Sequence, residues 1–375
     1  MPLMSTPSVA VIGGGVFGVS TAVHLARLGA QVRLLTAGAF ADGASGRSLS
    51  WLNSARMRSA AYHRLRLLGI DRYRTLAWRR PETGGWLRFD GGLSWDADDE
   101  TNAMAAVCAH EGLIGYDRVA LQAAQVAAVT PGVDARAIPQ QGAIFNPGEG
   151  WVDLPSLISL LLAEFAALGG QAQAGVGPVA IATESGAARG VVLADGSRLG
   201  ADAVVLAVGP AAPAMLAGLG VVMPDSTPVS LLVRTEALAH PLRAVLNTPR
   251  VAIRPAPGGG FVLDSAWSEE EVRVGADGRY GVDPDTISRL LAEATAVLAG
   301  NPALRLAGYG VGPKPIPGDG DPVLGEIAEI PGLHVAFSHS GATLGLIVGE
   351  LLAESVIMGR VHPLIAPFQA ARFRG

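Results

Sequence analysis

Residues 9–38 read "VAVIGGGVFGVSTAVHLARLGAQVRLLTAG", an apolar strand, a glycine turn, a helix and a second strand. No other stretch of the 375-residue chain constrains the fold so strongly. Gly13, Gly15 and Gly18 form G-x-G-x-x-G directly after the strand. The first glycine permits a tight turn, the second lets a phosphate approach the backbone, and the third lets helix and strand pack closely. Val16 and Phe17 open the helix, where unpaired N–H groups and the dipole favour negative charge. Val16, Val19, Val23 and Ala26 recur at helical spacing, and Gly29 ends the helix. In this setting the motif predicts a dinucleotide-binding unit.

One residue departs from the pattern. The second strand of such a unit usually ends on an acid that accepts hydrogen bonds from the ribose hydroxyls. Here Thr36, followed by Ala37, stands in its place and offers one weaker contact. Arg33, which an NADP site would want nearby, lies within the strand. This unit therefore leaves FAD and NAD(P) both open. The next segment, "GAFADGASGRSLSWLNSA" at 38–55, brings small residues, Ser45, Gly46, Arg47 and Ser48 straight after the strand. Such a loop suits the same pyrophosphate through N–H groups, hydroxyls and a guanidinium.

With these motifs the chain resembles the FAD-dependent amino-acid and amine oxidoreductases of the D-amino-acid oxidase, glycine oxidase and sarcosine oxidase superfamily. Three later stretches carry the resemblance: "EGWVDLPSLISLLLAEFAALGG" (149–170), "LADGSRLGADAVVLAVGPAAP" (193–213) and "KPIPGDGDPVLGEIAEIPGLHVAFSHSGATLGLIVGELLAE" (314–354). It implies an α/β fold with a Rossmann-type FAD-binding domain and an α+β substrate domain carrying a mainly antiparallel sheet. The FAD-binding domain is expected over 1–83, 149–215 and 308–375, and the substrate domain over 84–148 and 216–307. The implied cofactor contacts extend to Trp51, Asn53, Pro178, Ala207 and Gly209. Ser340, Gly341, Ala342, Thr343 and Leu344 are expected at the flavin ring, with the helix N-terminus favouring negative charge on the reduced flavin. Some relatives attach flavin to a cysteine ahead of the C-terminal signature. The single cysteine, Cys108, is not there, so non-covalent FAD is expected.

Within the expected substrate domain, "GWLRFDGGLSWDAD" (85–98) reads as a hairpin. "TPVSLLVRTEA" and "RVAIRPAPGGGFVLDSAW" read as antiparallel strands with "PAPGGG" the turn, and "DPDTISRLLAEATAVLAG" (283–300) as a capped helix. Arg254 is either a two-pronged clamp for a carboxylate or a surface arginine. Lys314 stands where the glycine-oxidase and D-amino-acid-oxidase branches show a carboxylate-binding Arg. It pairs with a carboxylate less selectively, promotes reaction with oxygen, or is a solvated turn lysine. Trp51 is equally a core residue. His63 sits in an Arg-rich helix whose polar face reads as solvated. His339 is expected beside the flavin, and Asp319 and Asp321 as turn formers.

The resemblance implies oxidation of a small-molecule amine or amino acid by hydride transfer to flavin N5. The imine is then hydrolysed, and oxygen or another acceptor takes the electrons. A nicotinamide-dependent dehydrogenase and a flavoprotein electron-transfer subunit remain the alternatives. A formal charge of −5 without a basic excess argues against nucleic acid. No signal peptide or membrane span is read, and the expected location is cytoplasmic.

Overall fold

The computed structural model of the protein describes residues 6–374. The chain forms two compact units, each assembled from separate stretches. One comprises Met1–Gly46, Leu154–Pro228 and Pro313–Gly375, the other Arg47–Asp153 and Val229–Gly312.

The first unit is built on a six-stranded sheet. Its strands run in the order Val323–Glu326, Leu333–Phe337, Ala203–Leu206, Ser8–Ile12, Gln31–Leu35 and Gln171–Gln173. All pair in parallel except the edge strand Val323–Glu326. The central runs VAVI, AVVL and LHVAF are nearly all apolar, as strands buried on both faces must be. Ser8–Ile12 lies between the strand that follows it and Ala203–Leu206, so the winding direction reverses there. Ile12 is level with Leu35 and Leu206, and Leu206 with Val335, which brings the carboxyl ends of four strands to one edge.

The first helix, Val16–Arg27, packs on the C-terminal helix, Gly341–Met358. A Cβ on Gly349 would collide with Ser20 Oγ, so glycine is what lets the axes approach. The C-terminal helix is long and apolar enough to cross a membrane, but 67% of it is buried inside the protein, as a core helix is.

The second unit carries an eight-stranded mixed sheet. From Val229–Thr235 to Val119–Leu121 its pairs are antiparallel, except that Val245–Asn247 runs parallel to Gly92–Ser94. The strands Ala252–Pro255 and Phe261–Asp264 join through the expected glycine turn. The helix Pro284–Val297, with Asp283 accepting from Asp285 N–H at its cap, covers one face. Leu93, Leu246, Ile253, Leu263 and Val233 form the core beneath it with Ile287, Leu290 and Ala294. Because side chains alternate along a strand, the neighbours of those residues face the other way.

Two expectations need correction. Residues 47–83 pack in the second unit, not with the nucleotide-binding strands. The cause is a small sheet in which Trp51–Leu52 and Leu87–Arg88 flank Gly150–Val152. The hairpin over 85–98 does not form. Leu87–Arg88 joins that small sheet, while Gly92–Ser94 joins the large one. The turn at Gly91, φ +85°, sends the chain from one sheet to the other.

Candidate active site

In the first unit the expected cofactor residues gather at the carboxyl edge of the parallel sheet. Gly13 leaves its strand with φ +128°, and a Cβ there would strike Ala207 O. A Cβ on Gly18 would strike Gly13 O. These two glycines hold turn, helix and neighbouring strand together. Gly15 differs: a Cβ there would meet only Ser45 Oγ, at 3.1 Å. Gly15 therefore leaves space on the side from which a ligand would come. It is also the N-cap of the first helix and gives no side-chain cap. Ser45 Oγ accepts from Val16 N–H at 3.0 Å and so does part of that work. No acid stands in the first turn. Gly341 lies 3.6 Å from Val16 and 3.8 Å from Phe17, measured from its ideal Cβ, so the first turns of two helices meet here. Ala342, Thr343 and Leu344 continue that turn of the C-terminal helix, with Ser340 at the N-cap position but giving no side-chain cap.

Thr36 is buried, and its side chain lies against Gly14, 2.8 Å from an ideal Cβ there. Thr36, Ala37 and Gly38 accept backbone bonds from Val176, Gly177 and Gly175, and exposed Pro178 follows that stretch. Gly46 closes the short turn after Ser45, where a side chain would strike Ala41 O. Gly209, φ +57°, turns the chain out of its strand just after Ala207. Lys314 is half-buried, and its N–H donates to Pro228 O at 2.9 Å. Asp319 is committed to Arg372 at 2.7 Å, as a structural pair. His339 is exposed.

The second unit carries the other expected residues. Arg47 rests on the strand Leu306–Pro313, where Gly310 and Gly312 make room; a Cβ on Gly312 would fall 2.5 Å from Arg47 Nη2. Ser48 Oγ accepts from Ser50 N–H at 3.0 Å. Trp51 is opposite Trp151 in the small sheet, so both indoles share one face. On the large sheet Arg234 and Arg254 both pair with Val262, one from each side. They lie on the face opposite the helix-covered core.

Arg254 is 3% exposed. Its guanidinium stacks on Trp151 at 5.1 Å and sits 3.7 Å from Asp153, an ion pair rather than a hydrogen bond. Nη1 donates to Pro255 O at 3.0 Å, while Nε has no partner among the described residues. Burial pushes its pKa down to about 10, Asp153 pulls the other way, and Arg234 adds to the fall. Even so it stays charged at neutral pH. A buried cation with an unused donor favours an anionic ligand.

Sequence reasoning missed a buried polar cluster beside Trp51. His63 and Arg66 are buried, which corrects the solvated reading of their helix face. Arg66 donates to Asn53 O and Oδ1, both at 2.8 Å, and Ser54 Oγ contacts His63 Nδ1 at 2.8 Å. Glu111, Tyr116 and Glu149 join them. The only sequence signal was a spread of single polar residues in apolar settings.

Structures similar to this chain include glycine oxidase from Geobacillus kaustophilus, with TM-score 0.81, 24% identity, 99% of this chain and 100% of that one covered. L-Amino acid deaminase from Proteus myxofaciens, in complex with anthranilate, gives 0.84, 18%, 100% and 95%. Iminodiacetate oxidase from Chelativorans sp. BNC1 gives 0.77, 22%, 96% and 98%. A search of curated protein sequences gave no match. The family described as FAD dependent oxidoreductase, DAO, matches residues 8–355. The chain therefore belongs to the DAO family of FAD-dependent oxidoreductases, and its cofactor is FAD rather than a nicotinamide.

Proposed function

We propose that this protein oxidises the C–N bond of an amino acid, or of an amine bearing a carboxylate. The observation that carries the reading is Arg254, a buried guanidinium with an unused Nε on an aromatic-lined sheet face. The glycine cradle fits FAD: Gly13 and Gly18 are filled by protein, Gly15 is open, and two helix first turns without acids meet beside it. Gly13, Gly15, Val16, Phe17, Gly18, Ser45 and Gly46 would hold the pyrophosphate, with Thr36 and Ala37 at the ribose. Bound FAD supplies a two-electron acceptor that takes the hydride from the substrate α-carbon.

The residues of this chain bind and orient. Arg254 holds the substrate carboxylate through Nε, and Trp151 beneath it fixes the guanidinium plane and keeps water off that side. Asp153 lies near enough to temper the charge but too far to occupy the donors fully. Lys314 is a second candidate for the carboxylate. The product imine is hydrolysed by water to a carbonyl compound and ammonia or an amine. The single cysteine, Cys108, does not stand just ahead of the C-terminal signature, which supports non-covalent FAD.

Amino acids and secondary amines mixed anaerobically with the yellow protein test this reading. Bleaching of the flavin by a carboxylate-bearing amine is expected, and an isosteric amine lacking the carboxylate should act more slowly. If no amine bleaches the isolated chain, the electron-transfer alternative takes its place.

A further inference from the structure

Within the first unit, the edge strand Val323–Glu326 runs antiparallel to Leu333–Phe337, and Val323 is level with Phe337. Phe337 ends its strand, and residues 338–340 turn from it into the C-terminal helix. The loop that leads into Val323 therefore arrives at the carboxyl edge of the parallel sheet. This loop is "KPIPGDGDP", 314–322. Its first half lies along residues 224–228 of the same unit. Lys314 N–H donates to Pro228 O at 2.9 Å, Ser226 N–H to Ile316 O at 2.8 Å, and Gly318 N–H to Pro224 O at 2.9 Å. Its second half is a tight turn. Gly320 N–H donates to Pro317 O at 2.9 Å, with Gly320 at φ +81°, and Asp321 N–H donates to Asp319 Oδ1 at 3.2 Å.

Arg372 clasps that turn. Its Nε and Nη2 donate to the two carboxylate oxygens of Asp319 at 2.7 and 3.0 Å, and Nη2 donates again to Asp321 O at 2.9 Å. The guanidinium thus bonds on both sides of left-handed Gly320. Nη1 donates to Phe368 O at 2.9 Å and to Gln369 O at 3.3 Å. A guanidinium carries five N–H groups in a fixed fork, and these five bonds match that number. The base of the clasp is firm. Ile365 and Phe368 are buried, and Ala370 and Phe373 pack against the core of Leu333, Val335 and Phe337. Hydrogen bonds from Arg372 hold the Asp319 carboxyl below its ordinary range, so the pair is ionised at neutral pH. An exposed ion pair made for charge alone contributes little and needs no such fork.

We propose that Arg372 is a positioning residue for the cofactor, holding the turn 317–322 in the shape in which the carboxyl edge receives FAD. This rests on the reading that FAD lies at that edge. Arg372 acts through the backbone of the loop. Because residues 314–317 lead into the turn, it also steadies the segment that carries Lys314. Without the fork, Gly320 can leave its left-handed conformation at little cost, since glycine populates others as readily. The loop then spreads over several shapes, and FAD binds more weakly by the fraction of molecules still in the competent one. Lysine keeps the charge but has three donors on a compact head, so it does not rebuild the clasp.

The unmodified protein and its Arg372→Met and Arg372→Lys variants are deflavinated and titrated with FAD. The dissociation constant is expected to rise roughly tenfold in Arg372→Met and nearly as far in Arg372→Lys, as for loss of a charged hydrogen bond. Hydrogen exchange of the apoproteins separates positioning from general support of the fold. Faster exchange is expected at the amides of Gly320 and Asp321, with the core strand Ala203–Leu206 unchanged. Acceleration across the whole unit overturns the proposal, and so does a dissociation constant that stays the same in Arg372→Met. An Arg372→Lys variant that binds FAD like the unmodified protein also overturns it, because charge alone would then suffice. If Arg372→Met does not fold, Arg372→Lys still decides. Gly15→Ala, titrated alongside, tests where FAD lies: full retention of FAD there removes the reading on which this role rests. Amine bleaching is scored separately. If no amine bleaches the flavin while the constants shift as stated, the proposed function fails and the role of Arg372 stands.

Discussion

At the residue scale, the glycines of one motif do different jobs. Gly18 is hemmed in by Gly13 O, whereas Gly15 meets only the end of a serine side chain. Gly18→Ala is expected to destabilise the apoprotein by about 3 kcal/mol or more, the upper end of overpacking costs. Gly15→Ala should leave the apoprotein melting temperature nearly unchanged yet lose FAD. Thermal melts with and without flavin, and the flavin content of purified protein, separate the two. Equal loss of fold in both variants would count against the distinction. The two substrate candidates separate in a similar way. If Arg254 binds the carboxylate, Arg254→Met should raise KM or slow flavin reduction by roughly ten- to a hundredfold, or about 1.5–3 kcal/mol for a charged hydrogen bond. Lys314→Met should do the same if Lys314 binds substrate. Slow reoxidation with normal reduction would instead give it the oxygen role. No change in either half-reaction would make it a turn lysine. Anaerobic stopped-flow reads both steps.

At the element scale, the first strand, glycine turn and helix were legible because every local preference agrees: apolar runs, helical spacing and a terminal glycine. The strand pair around "PAPGGG" and the Asp283-capped helix were legible for the same reason. The segment 85–98 was not. Its glycine turn is real, but pairing is decided by distant strands, and the two arms join different sheets. The helix Ala60–Arg79 misleads differently. Its mixture of Arg and apolar residues suggests a wet face, yet Arg66 is buried because Asn53 satisfies it. Burial of a charge depends on partners far away in sequence, which periodicity does not carry. The tight helix contact of Gly349 on Ser20 was equally invisible, since neither residue forms a motif. There Gly349→Val should separate the first and C-terminal helices and destabilise the protein by about 1–3 kcal/mol. A melting temperature unchanged by that substitution would show that the crossing relaxes without cost.

At the scale of the whole molecule, the sequence spoke more clearly for the cofactor than for the substrate. Binding a dinucleotide imposes backbone constraints, and backbone constraints appear as glycines at fixed spacing. Binding a small substrate imposes side-chain constraints, and these come from strand register and sheet packing, as at Arg254 and Trp151. The state of the cofactor follows from similar reasoning. Cys108 packs with Met104, Val107 and Ile144 in the second unit. It lies in the helix Met104–Leu113, outside every glycine motif. A flavin held without a covalent bond is held only while the fold exists. Acid precipitation should therefore release all the yellow colour into the supernatant, and colour kept in the pellet would disprove non-covalent attachment. The same dependence works in reverse on stability. Added FAD should raise the melting temperature with concentration, by about 2.7 kcal/mol at a free concentration one hundred times the dissociation constant. A covalently loaded protein would show no such dependence, so titration of FAD into deflavinated protein, followed by thermal melts, tests the cradle and the missing link together.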